Sequence, residues 1–599
     1  MKYLTSAALS ACVFLGGSML FAAERNVIFF ITDDEGQTLG CYGDPVAVTP
    51  NIDALAKDGT LFRSAYATTA SCSASRSVIM SGLHNHMNGQ YGHQHHYHKF
   101  ASFHDVVSLA LPRVLANAGY RTAHIGKYHV APEEVYHFET YLKGNERNSV
   151  QMAEQCRAFL SDQADQRPFF LYFATSDPHR GGGIDASSPL DLKPDLFGNK
   201  PNRGSHAGVQ EVFYDPAKVP VPAFLPDTPE TRAELAQYYQ ACSRIDQGLG
   251  RLIEILKEAN VYDKTLIVYT SDNGIAFSGA KTTVYEPGLR MPFVVRNPYQ
   301  PRRGVVSDAL ISHVDITPSL LDFAGGLDPQ TNGPKDRVDP NEYWKQRGEA
   351  LQENRGGGHQ FRSYHGKSWI PILGDPNAQH WDTILASHTF HEIQMYYPMR
   401  VVRDAQYKLI WNIAHPLPYP FASDLWAASS WKAQYQKGPD APYGKRTVGR
   451  YIHRPPFELY DLQQDPDEAV NLAEDPNFAA VLKKYQVVLD YPGRLLTLAR
   501  PGSLPPRGVR SPAGVQPETG IVQIDAAQQG VQGGEQLLGD EDVLAGQGLE
   551  QGRLAGRRVA DQRHQRHGQL AAVLALPVAV ARHSFQLLAD AGDLHLDLP

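Results

Sequence analysis

The sequence is poor in cysteine and has no excess of positive charge. Five cysteines among 599 residues are too few for a disulfide scaffold, so the fold must rest on a hydrophobic core. A net charge of -8 leaves no basic surplus for neutralising phosphates, which argues against a general nucleic-acid or acidic-membrane binder. A local basic pocket for a sulfated polymer is not excluded. The length and the 42% of apolar residues suit a globular protein of two or three domains.

The amino terminus is typical of a secretory signal peptide rather than a membrane span. Residues 1–23 contain Lys2, an apolar segment over residues 4–21 and two alanines before a charged pair. We therefore expect an exported protein, periplasmic or secreted. Residues 9–12 also match a bacterial lipoprotein cleavage box, so lipid anchoring at Cys12 is an alternative.

The carboxyl-terminal stretch, residues 491–599, differs in composition from the rest. From residue 492 onward there is no Lys, Asn, Cys, Met, Tyr or Trp, and ten Arg carry all the basic charge apart from His. Gln, Gly, Ala and Leu are enriched there. This shift predicts a low-complexity tail that is disordered or read out of frame, and it carries no motif for chemistry.

Two apolar, β-rich runs end in adjacent oxygen-bearing side chains. Residues 26–32 precede Asp33 and Asp34, and residues 265–270 precede Ser271, Asp272 and Asn273. Such runs are typical of strands buried on both faces of a parallel sheet, and open α/β sheets carry functional groups at the carboxyl ends of their strands. Adjacent buried carboxylates repel, so we expect a divalent cation with oxygen ligands there. Alternatively, the Asp pair serves as an N-cap in the loop that follows the strand.

Cys72 lies where a loop is predicted to enter a helix. Small hydroxyl residues flank it, and a short apolar run that follows is closed by Gly82. The unpaired N–H groups of a helix start favour an anion, and Arg76, one turn on, adds positive charge on the same face. Taken alone, a buried structural thiol is the commoner explanation for such a cysteine.

Two segments resemble the signatures of the sulfatase family. Cys72-x-Ala74-x-Arg76 resembles the Cys-x-Pro/Ala-x-Arg motif, in which the cysteine is oxidised after synthesis to formylglycine. Residues 119–129 resemble the second signature of the family. The order of strand, Asp pair, T-P-N-x-D helix at residues 49–53 and signature cysteine also recurs in that family.

The resemblance covers about residues 26–490 and implies a role for each charged residue of the motifs. The implied ligands of one calcium ion are Asp33, Asp34, Cys72, Asp272 and Asn273. The implied catalytic residues are Cys72, Arg76, Lys127, His129, His179 and Lys281. The three cationic side chains among them would balance the charge of the sulfate. His179, which follows a further buried strand, would protonate the leaving group, and His129 would contact the nucleophile or its hydrogen-bond network.

The resemblance also implies an alkaline-phosphatase-like α/β fold. A mixed, mostly parallel sheet sandwiched by helices is expected over residues 24–375, and a smaller subdomain with an antiparallel sheet over residues 376–490. The residue patterns agree, because residues 230–260 have helical periodicity and residues 399–411 have the pattern of a hairpin.

Within the family, longer segments resemble the branch of N-sulfoglucosamine sulfohydrolases, or sulfamidases. These segments are residues 88–92, 129–136, 177–180 and 391–400. The likeness implies cleavage of the N-sulfate of N-sulfoglucosamine in a heparan-type glycan. His86, His391 and Glu392 are the candidates for binding the sugar. Tyr128 departs from the pattern, because those relatives carry a second Lys there.

Other functions remain open at this point. A carbohydrate O-sulfatase or arylsulfatase would share the core residues. A phosphoesterase or phosphonate hydrolase would share the fold but usually binds two metals through additional histidines. A non-catalytic protein that binds sulfated glycans would result if Cys72 stayed a thiol. The six histidines between residues 84 and 98 suggest zinc, but their spacing and the glycines among them favour a loop over the active site.

The expected partners follow from the same likeness. They are a sulfated saccharide and an enzyme that makes formylglycine, either the oxygen-dependent type or the anaerobic radical type. Ala74 in place of proline resembles substrates of the radical type. No nucleic acid and no membrane span are expected, and the sequence leaves a homodimer open.

Overall fold

The computed structural model describes residues 25–94, 99–181, 196–200, 205–346, 361–393 and 395–489. The predicted signal peptide at residues 1–23, Cys12 within it, and the predicted tail at residues 491–599 lie outside the described residues. So do three of the histidines between residues 84 and 98.

The described chain alternates strands and helices over its first part. The strands are β1 Asn26–Thr32, β2 Thr60–Phe62, β3 Ala65–Tyr66, β4 Arg121–Gly126, β5 Thr140–Leu142, β6 Phe169–Ala174, β7 Thr265–Ser271, β8 Arg290–Met291, β9 Phe293–Arg296, β10 Val305–Ser307, β11 Ile311–Ser312, β12 Leu327–Asp328, β13 Gly333–Pro334, β14 Ile384–His388, β15 Met399–Arg403, β16 Tyr407–Asn412, β17 Pro442–Tyr443, β18 Arg446–Thr447 and β19 Phe457–Asp461.

The α-helices range from four residues to thirty. They are α1 Pro50–Lys57, α2 Cys72–Ser81, α3 Asn85–Asn88, α4 Leu111–Asn117, α5 Ser149–Leu160, α6 Pro229–Glu258, α7 Glu286–Leu289, α8 Ile316–Phe323, α9 Pro340–Gln346, α10 Ser423–Trp426, α11 Ser429–Tyr435, α12 Val448–Ile452 and α13 Ala479–Leu489. Short 3-10 turns lie at Gly40–Tyr42, His104–Ser108, Tyr262–Lys264, His313–Asp315, Ile370–Ile372 and Pro476–Phe478.

Eight strands form the main sheet, in the order β10-β2-β9-β7-β1-β6-β4-β5. β1 pairs in parallel with both β6 and β7, and β4 pairs in parallel with β5 and β6. β9 is antiparallel to both of its neighbours, so the sheet is mixed but mostly parallel. Because β1 and β7 are adjacent and parallel, the residues that follow them meet at one edge of the sheet. This confirms the predicted fold class.

Both faces of the main sheet are covered by helices, as the residues of β1 show. Val27, Phe29 and Ile31 pack with residues of α2, α4 and α8, whereas Ile28 and Phe30 pack with residues of α1, α5 and α6. All seven residues of β1 are buried. Alternate side chains of a strand point to opposite faces, so burial on both sides explains the unbroken apolar run in the sequence. Burial of each large apolar side chain contributes about 1.5–3 kcal/mol to folding.

A second sheet is antiparallel, in the order β14-β15-β16-β19. Val401 and Ile410 on one of its faces pack into a cluster that includes Tyr66 and Ala280 of the main-sheet part of the chain. Val402 and Leu409 on its other face pack against α13. The predicted hairpin is confirmed, and this sheet shares a hydrophobic cluster with the elements that carry the main sheet.

An ion-pair network also joins the antiparallel sheet to α7 and β3. Glu286 of α7 lies 3.3 Å from Arg403 of β15 and 3.2 Å from Lys408 of β16, and it accepts a hydrogen bond of 2.8 Å from the hydroxyl of Tyr66. Lys408 also pairs with Glu468 at 2.8 Å. These side chains are almost fully buried, so each charge depends on its partners for stabilisation.

The helix predicted over residues 230–260 is α6, Pro229–Glu258, and its N-cap is Thr228. Before α4, residues 104–108 form a 3-10 turn. Among the described residues, no helix combines the length and the apolar character that crossing a bilayer needs.

Candidate active site

The two oxygen-bearing pairs predicted from the sequence do meet at the carboxyl edge of the main sheet. The backbone N–H of Asp34 donates to Oδ1 of Asp272 at 3.1 Å, and Nδ2 of Asn273 donates to Oδ1 of Asp34 at 2.6 Å. Asp33, Asp34, Asp272 and Asn273 have no solvent exposure. Asp34 has a φ of 68°, a left-handed conformation that is uncommon outside glycine but that aspartate adopts more often than most residues.

Cys72 is the first residue of α2, as predicted, and its side chain faces the acidic pairs. Ser71 is the N-cap, and Sγ of Cys72 lies 3.5 Å from Oδ1 of Asp34. Burial raises the pKa of the Cys72 thiol well above its usual value, and Asp33 and Asp34 raise it further. The thiol is therefore protonated at neutral pH, and an unmodified Cys72 is a poor nucleophile.

The acidic cluster has the donors that a divalent cation needs. One ligand atom from each of Asp33, Asp34, Cys72 and Asp272 lies within 4.8 Å of the others. Oδ1 of Asp33 and Oδ1 of Asn273 are buried and accept no hydrogen bond. Burial raises the pKa of Asp272 to about 7 although Arg76 opposes the rise. A hard cation would satisfy the orphaned oxygens and favour the charged carboxylates, so these residues fit a bound metal ion.

Arg76 holds the strand ends together. Its Nε donates to Oδ2 of Asp272 at 2.8 Å, and one terminal nitrogen donates to the hydroxyl of Tyr172 and to the carbonyl of Lys127, each at 3.2 Å. Its other terminal nitrogen lies 3.7 Å from Asp33. The guanidinium is fully buried, and its several donors suit such a fork of acceptors better than an ammonium would.

Two lysines neutralise the remaining acidic oxygens. Nζ of Lys127 donates to Oδ2 of Asp33, and Nζ of Lys281 donates to Oδ2 of Asp34 at 2.9 Å. Burial works against the charge on Lys281, but Asp34 raises its pKa well above the usual value, so it is a fixed cation. Arg76, Lys127 and Lys281 thus place three positive charges beside Cys72.

His179 lies at the same edge of the sheet, after β6. Its Nδ1 donates to the carbonyl of Arg180 at 2.6 Å, so Nε2 is the atom that faces the site. Nε2 lies 3.0 Å from Nζ of Lys281 and 3.7 Å from Oδ2 of Asp34. Burial and then the neighbouring charge of Lys281 lower the pKa of His179 to about 4. His179 is therefore neutral at pH 7, with Nε2 accepting from the lysine.

The sequence of the chain matches known proteins of one family. The family model for sulfatases matches residues 25–326. N-sulphoglucosamine sulphohydrolase of Homo sapiens is 36% identical over 473 residues, which cover 77% of this chain and 88% of that protein. The chain belongs to the sulfatase family. An ulvan-active sulfatase of Formosa agariphila is 26% identical, over 78% of this chain and 79% of its own length.

A solved structure supports the fold of this sulfatase. The structure of a protein in complex with its substrate D-glucosamine-2-N,6-O-disulfate matches with a TM-score of 0.52 and 20% identity. The match covers 79% of this chain and 98% of that one. At this identity the likeness concerns the architecture, in which a mostly parallel sheet is joined to an antiparallel one.

A chain of histidines links the sulfatase's Cys72 loop to His129. The hydroxyl of Ser71 lies 2.9 Å from Nδ1 of His391, whose Nε2 contacts Nε2 of His93, and Nδ1 of His93 lies 3.1 Å from Nε2 of His129. Each of the three contacts needs one hydrogen. The hydroxyl of Ser71 and one N–H from each neutral ring supply enough hydrogens, so all three rings can be neutral. His129 thus reaches the neighbour of Cys72 through two other rings, and sequence reasoning did not single out His93.

The other residues considered for sugar binding lie in different places. Glu392 accepts a hydrogen bond of 3.0 Å from the hydroxyl of Ser423. His86 stacks on His84 with ring centroids 5.7 Å apart, and on His365 at 6.1 Å. In the described part of the chain, no three ligand atoms converge at these rings as they do at Cys72. The roles of His86, His391 and Glu392 in binding the sugar stay predictions.

Asp424 of α10 also lies at the site, although no pattern in the sequence predicts this position. Its Oδ2 lies 3.4 Å from Nζ of Lys281, although the two residues are 143 positions apart. It comes from the part of the chain that carries the second sheet. Burial works against its charge, but Lys281 and then His179 keep its pKa below the usual value, so Asp424 is an anion.

Proposed function

We propose that this sulfatase removes the N-sulfate from N-sulfoglucosamine units of a heparan-type glycan. The observation that carries the proposal is the 36% identity to N-sulphoglucosamine sulphohydrolase over 88% of that protein. The charged residues around Cys72 support it, because three cations surround the position where a sulfate would bind beside the acidic cluster.

We infer that the cofactors are one calcium ion and a formylglycine made from Cys72. The ion would be held by Asp33, Asp34, Asp272, Asn273 and residue 72, where the orphaned oxygens and the close carboxylates support it. When bound, it would supply a positive charge that polarises the sulfate, and the hydrated aldehyde would supply a nucleophilic oxygen. The raised pKa of the unmodified thiol supports the need for this modification.

The remaining residues bind the sulfate and move one proton. Arg76, Lys127 and Lys281 compensate the charge on the sulfate oxygens, in a buried setting where such charges act strongly. If Lys281 turned from Nε2 of His179 to the sulfate, Nε2 would be free to accept the proton that the attacking hydroxyl gives up and to pass it to the leaving group. His129 keeps its contact with His93 and so holds the loop that precedes Cys72.

A carbohydrate O-sulfatase is the second candidate. The 26% identity to an ulvan-active sulfatase favours it, because the residues around Cys72 would serve an ester as well as a sulfamate. A glycan-binding protein without activity would require Cys72 to stay a thiol. A phosphoesterase with two metals has less support: within the described ranges, both groups of metal-binding side chains share Asp34 and Cys72 and so mark one place.

We further propose that the protein is exported and then acts in the periplasm or outside the cell. Lys2 and the apolar segment of residues 1–23 support a signal peptide, with anchoring at Cys12 as the alternative. Its partner in maturation would be the enzyme that forms formylglycine. A homodimer is compatible with the sequence but has no further support.

Mass spectrometry followed by a substrate panel tests the function. The tryptic peptide of residues 64–76 from protein made in its native host should be about 18 Da lighter than the thiol form. The protein should then release sulfate from N-sulfoglucosamine and not from glucosamine 6-O-sulfate. Cys72→Ala should abolish release, whereas Cys156→Ala, at a buried cysteine of α5, should not. An unmodified thiol throughout the population, or release from the O-sulfate alone, would contradict the proposal.

A further inference from the structure

Only part of the charged cluster can touch the body of a substrate. The side chains of Asp33, Asp34, Arg76, Asp272 and Lys281 are at most 1% exposed. Three other charged or titratable groups of the cluster reach solvent: His179 is 25% exposed, and Lys127 and Asp424 are each 14% exposed. A sulfate bound among the buried groups must therefore direct its leaving group towards these three side chains.

Among these three side chains, Asp424 carries the carboxylate. It lies close to His179, the proposed general acid. Its Oδ1 accepts from the backbone N–H of Leu425 at 2.9 Å, and its Oδ2 faces Nζ of Lys281 at 3.4 Å. The same nitrogen lies 3.0 Å from Nε2 of His179. Each carboxylate oxygen can accept a second hydrogen bond, so Asp424 can still accept one from a bound substrate.

The bridging atom of the substrate decides what such a carboxylate does. The nitrogen of a sulfamate carries a hydrogen that can be donated, whereas the bridging oxygen of a sulfate ester carries only lone pairs. A carboxylate has no hydrogen to donate and faces those lone pairs with like charge. The same carboxylate also opposes the negative charge that grows on an oxygen leaving group, and it stabilises an amine.

We propose that Asp424 selects N-sulfated over O-sulfated substrates by accepting a hydrogen bond from the leaving nitrogen. This inference rests on the proposed function. In the step concerned, the S–N bond would break and the nitrogen would keep the electron pair. A hydroxyl of the hydrated aldehyde proposed at residue 72 would bond to sulfur, and the proton that it gives up would reach the nitrogen through His179. The N–H already present donates to Asp424 throughout, and the product amine gains a second hydrogen near it.

The test compares two substrates that differ in one atom. N-sulfoglucosamine and glucose 2-O-sulfate share the sugar ring and the charge, so the ratio of their kcat/KM values isolates the bridging group. Asp424→Asn should lower kcat/KM for the N-sulfate about 10- to 100-fold, the usual effect of losing a hydrogen bond to a charged acceptor. For the O-sulfate it should raise kcat/KM about 3- to 10-fold, because the substitution removes the negative charge that opposes the oxygen leaving group.

A control distinguishes recognition of the leaving nitrogen by Asp424 from an effect of Asp424 on the position of Lys281. Asp440→Asn makes the same change at an exposed aspartate in the second-sheet part of the chain, and it should leave both values unchanged. If Asp424 only positions Lys281, Asp424→Asn will lower kcat/KM equally for both substrates, and that result overturns the inference. Wild-type protein that cleaves the O-sulfate and not the N-sulfate would contradict the proposed function itself, so the two failures are distinguishable.

Product inhibition gives a measurement that needs no variant to fold. Glucosamine should inhibit the wild-type enzyme at least about 10-fold more strongly than glucose at neutral pH, because its ammonium group would face Asp424. The same preference should disappear in Asp424→Asn. Equal inhibition of the wild-type enzyme by the two sugars would overturn the inference.

Discussion

Arg76→Lys should destabilise the protein although it keeps the charge. The guanidinium donates to Asp272, to the hydroxyl of Tyr172 and to the carbonyl of Lys127, and these acceptors lie in different directions. An ammonium at the end of a lysine can keep the contact with Asp272 but cannot reach all three. The substitution therefore leaves buried acceptors without a donor at the point where β1, β4 and β7 end.

The magnitude follows from the contacts that are lost. Two hydrogen bonds from a charged donor disappear, and each contributes about 1.5 kcal/mol, so the free energy of unfolding should fall by about 3 kcal/mol. The figure could be larger if Asp272 also lost its partner, since breaking a buried ion pair costs about 3–5 kcal/mol. Activity should fall as well, because Asp272 is among the proposed metal ligands.

Urea denaturation followed by tryptophan fluorescence measures this effect. The transition midpoint of Arg76→Lys should move to lower urea with an unchanged slope. Arg167→Lys is the matched control: Arg167 is 46% exposed and pairs with Asp165 and Glu139, and such surface pairs contribute about 0–1 kcal/mol. If Arg76→Lys unfolds within about 0.5 kcal/mol of the wild type, the guanidinium does not hold the strand ends together as described.

Two further predictions concern the metal and the pH. Chelation should lower the thermal midpoint and stop sulfate release, and added calcium should restore both in the wild type but not in Asp33→Asn; a midpoint that ignores chelator and calcium alike would contradict the metal site. Burial would raise the pKa of Glu286, but Arg403 and Lys408 lower it to about 2 from a usual 4.5. A lowered folded pKa gives stability that is present above pH 4.5 and is lost as the pH falls towards 2, up to about 3 kcal/mol. Glu286→Gln should therefore be less stable at pH 7 and lose less stability between pH 7 and 3 than the wild type; equal losses would argue against this linkage.

The elements that the sequence predicts well are those with a local cause. β1 and β7 are buried on both faces, so each appears in the sequence as an unbroken apolar run, and the acidic pairs follow directly. Adjacent parallel strands then bring Asp34 and Asp272 together without further information. Cys72 and Arg76 lie one helical turn apart on α2, so their shared face is also a local property.

The parts that could not be predicted depend on contacts between distant segments. Asp424 approaches Lys281 because α10 lies beside the main-sheet edge, and no pattern within residues 423–426 predicts that position. His93 was one of six histidines in a short stretch, and only its contacts with His129 and His391 distinguish it. The antiparallel sheet shares a hydrophobic cluster with Tyr66 and Ala280 and the Glu286 network with α7, and periodicity along one segment cannot show such contacts.

The complete burial of Cys72 has a consequence for the order in which the chain would be modified and folded. Its side chain has no solvent exposure, and every residue of α2 is buried with it. An enzyme that oxidises this side chain must draw the surrounding segment into its own active site, which a folded α2 does not permit. If Cys72 is converted to formylglycine as proposed, the conversion would therefore have to precede folding. Host cells that fold the chain faster than they modify it would then accumulate a folded and inactive protein, so yield and purity alone would be poor guides to how much active enzyme a preparation contains.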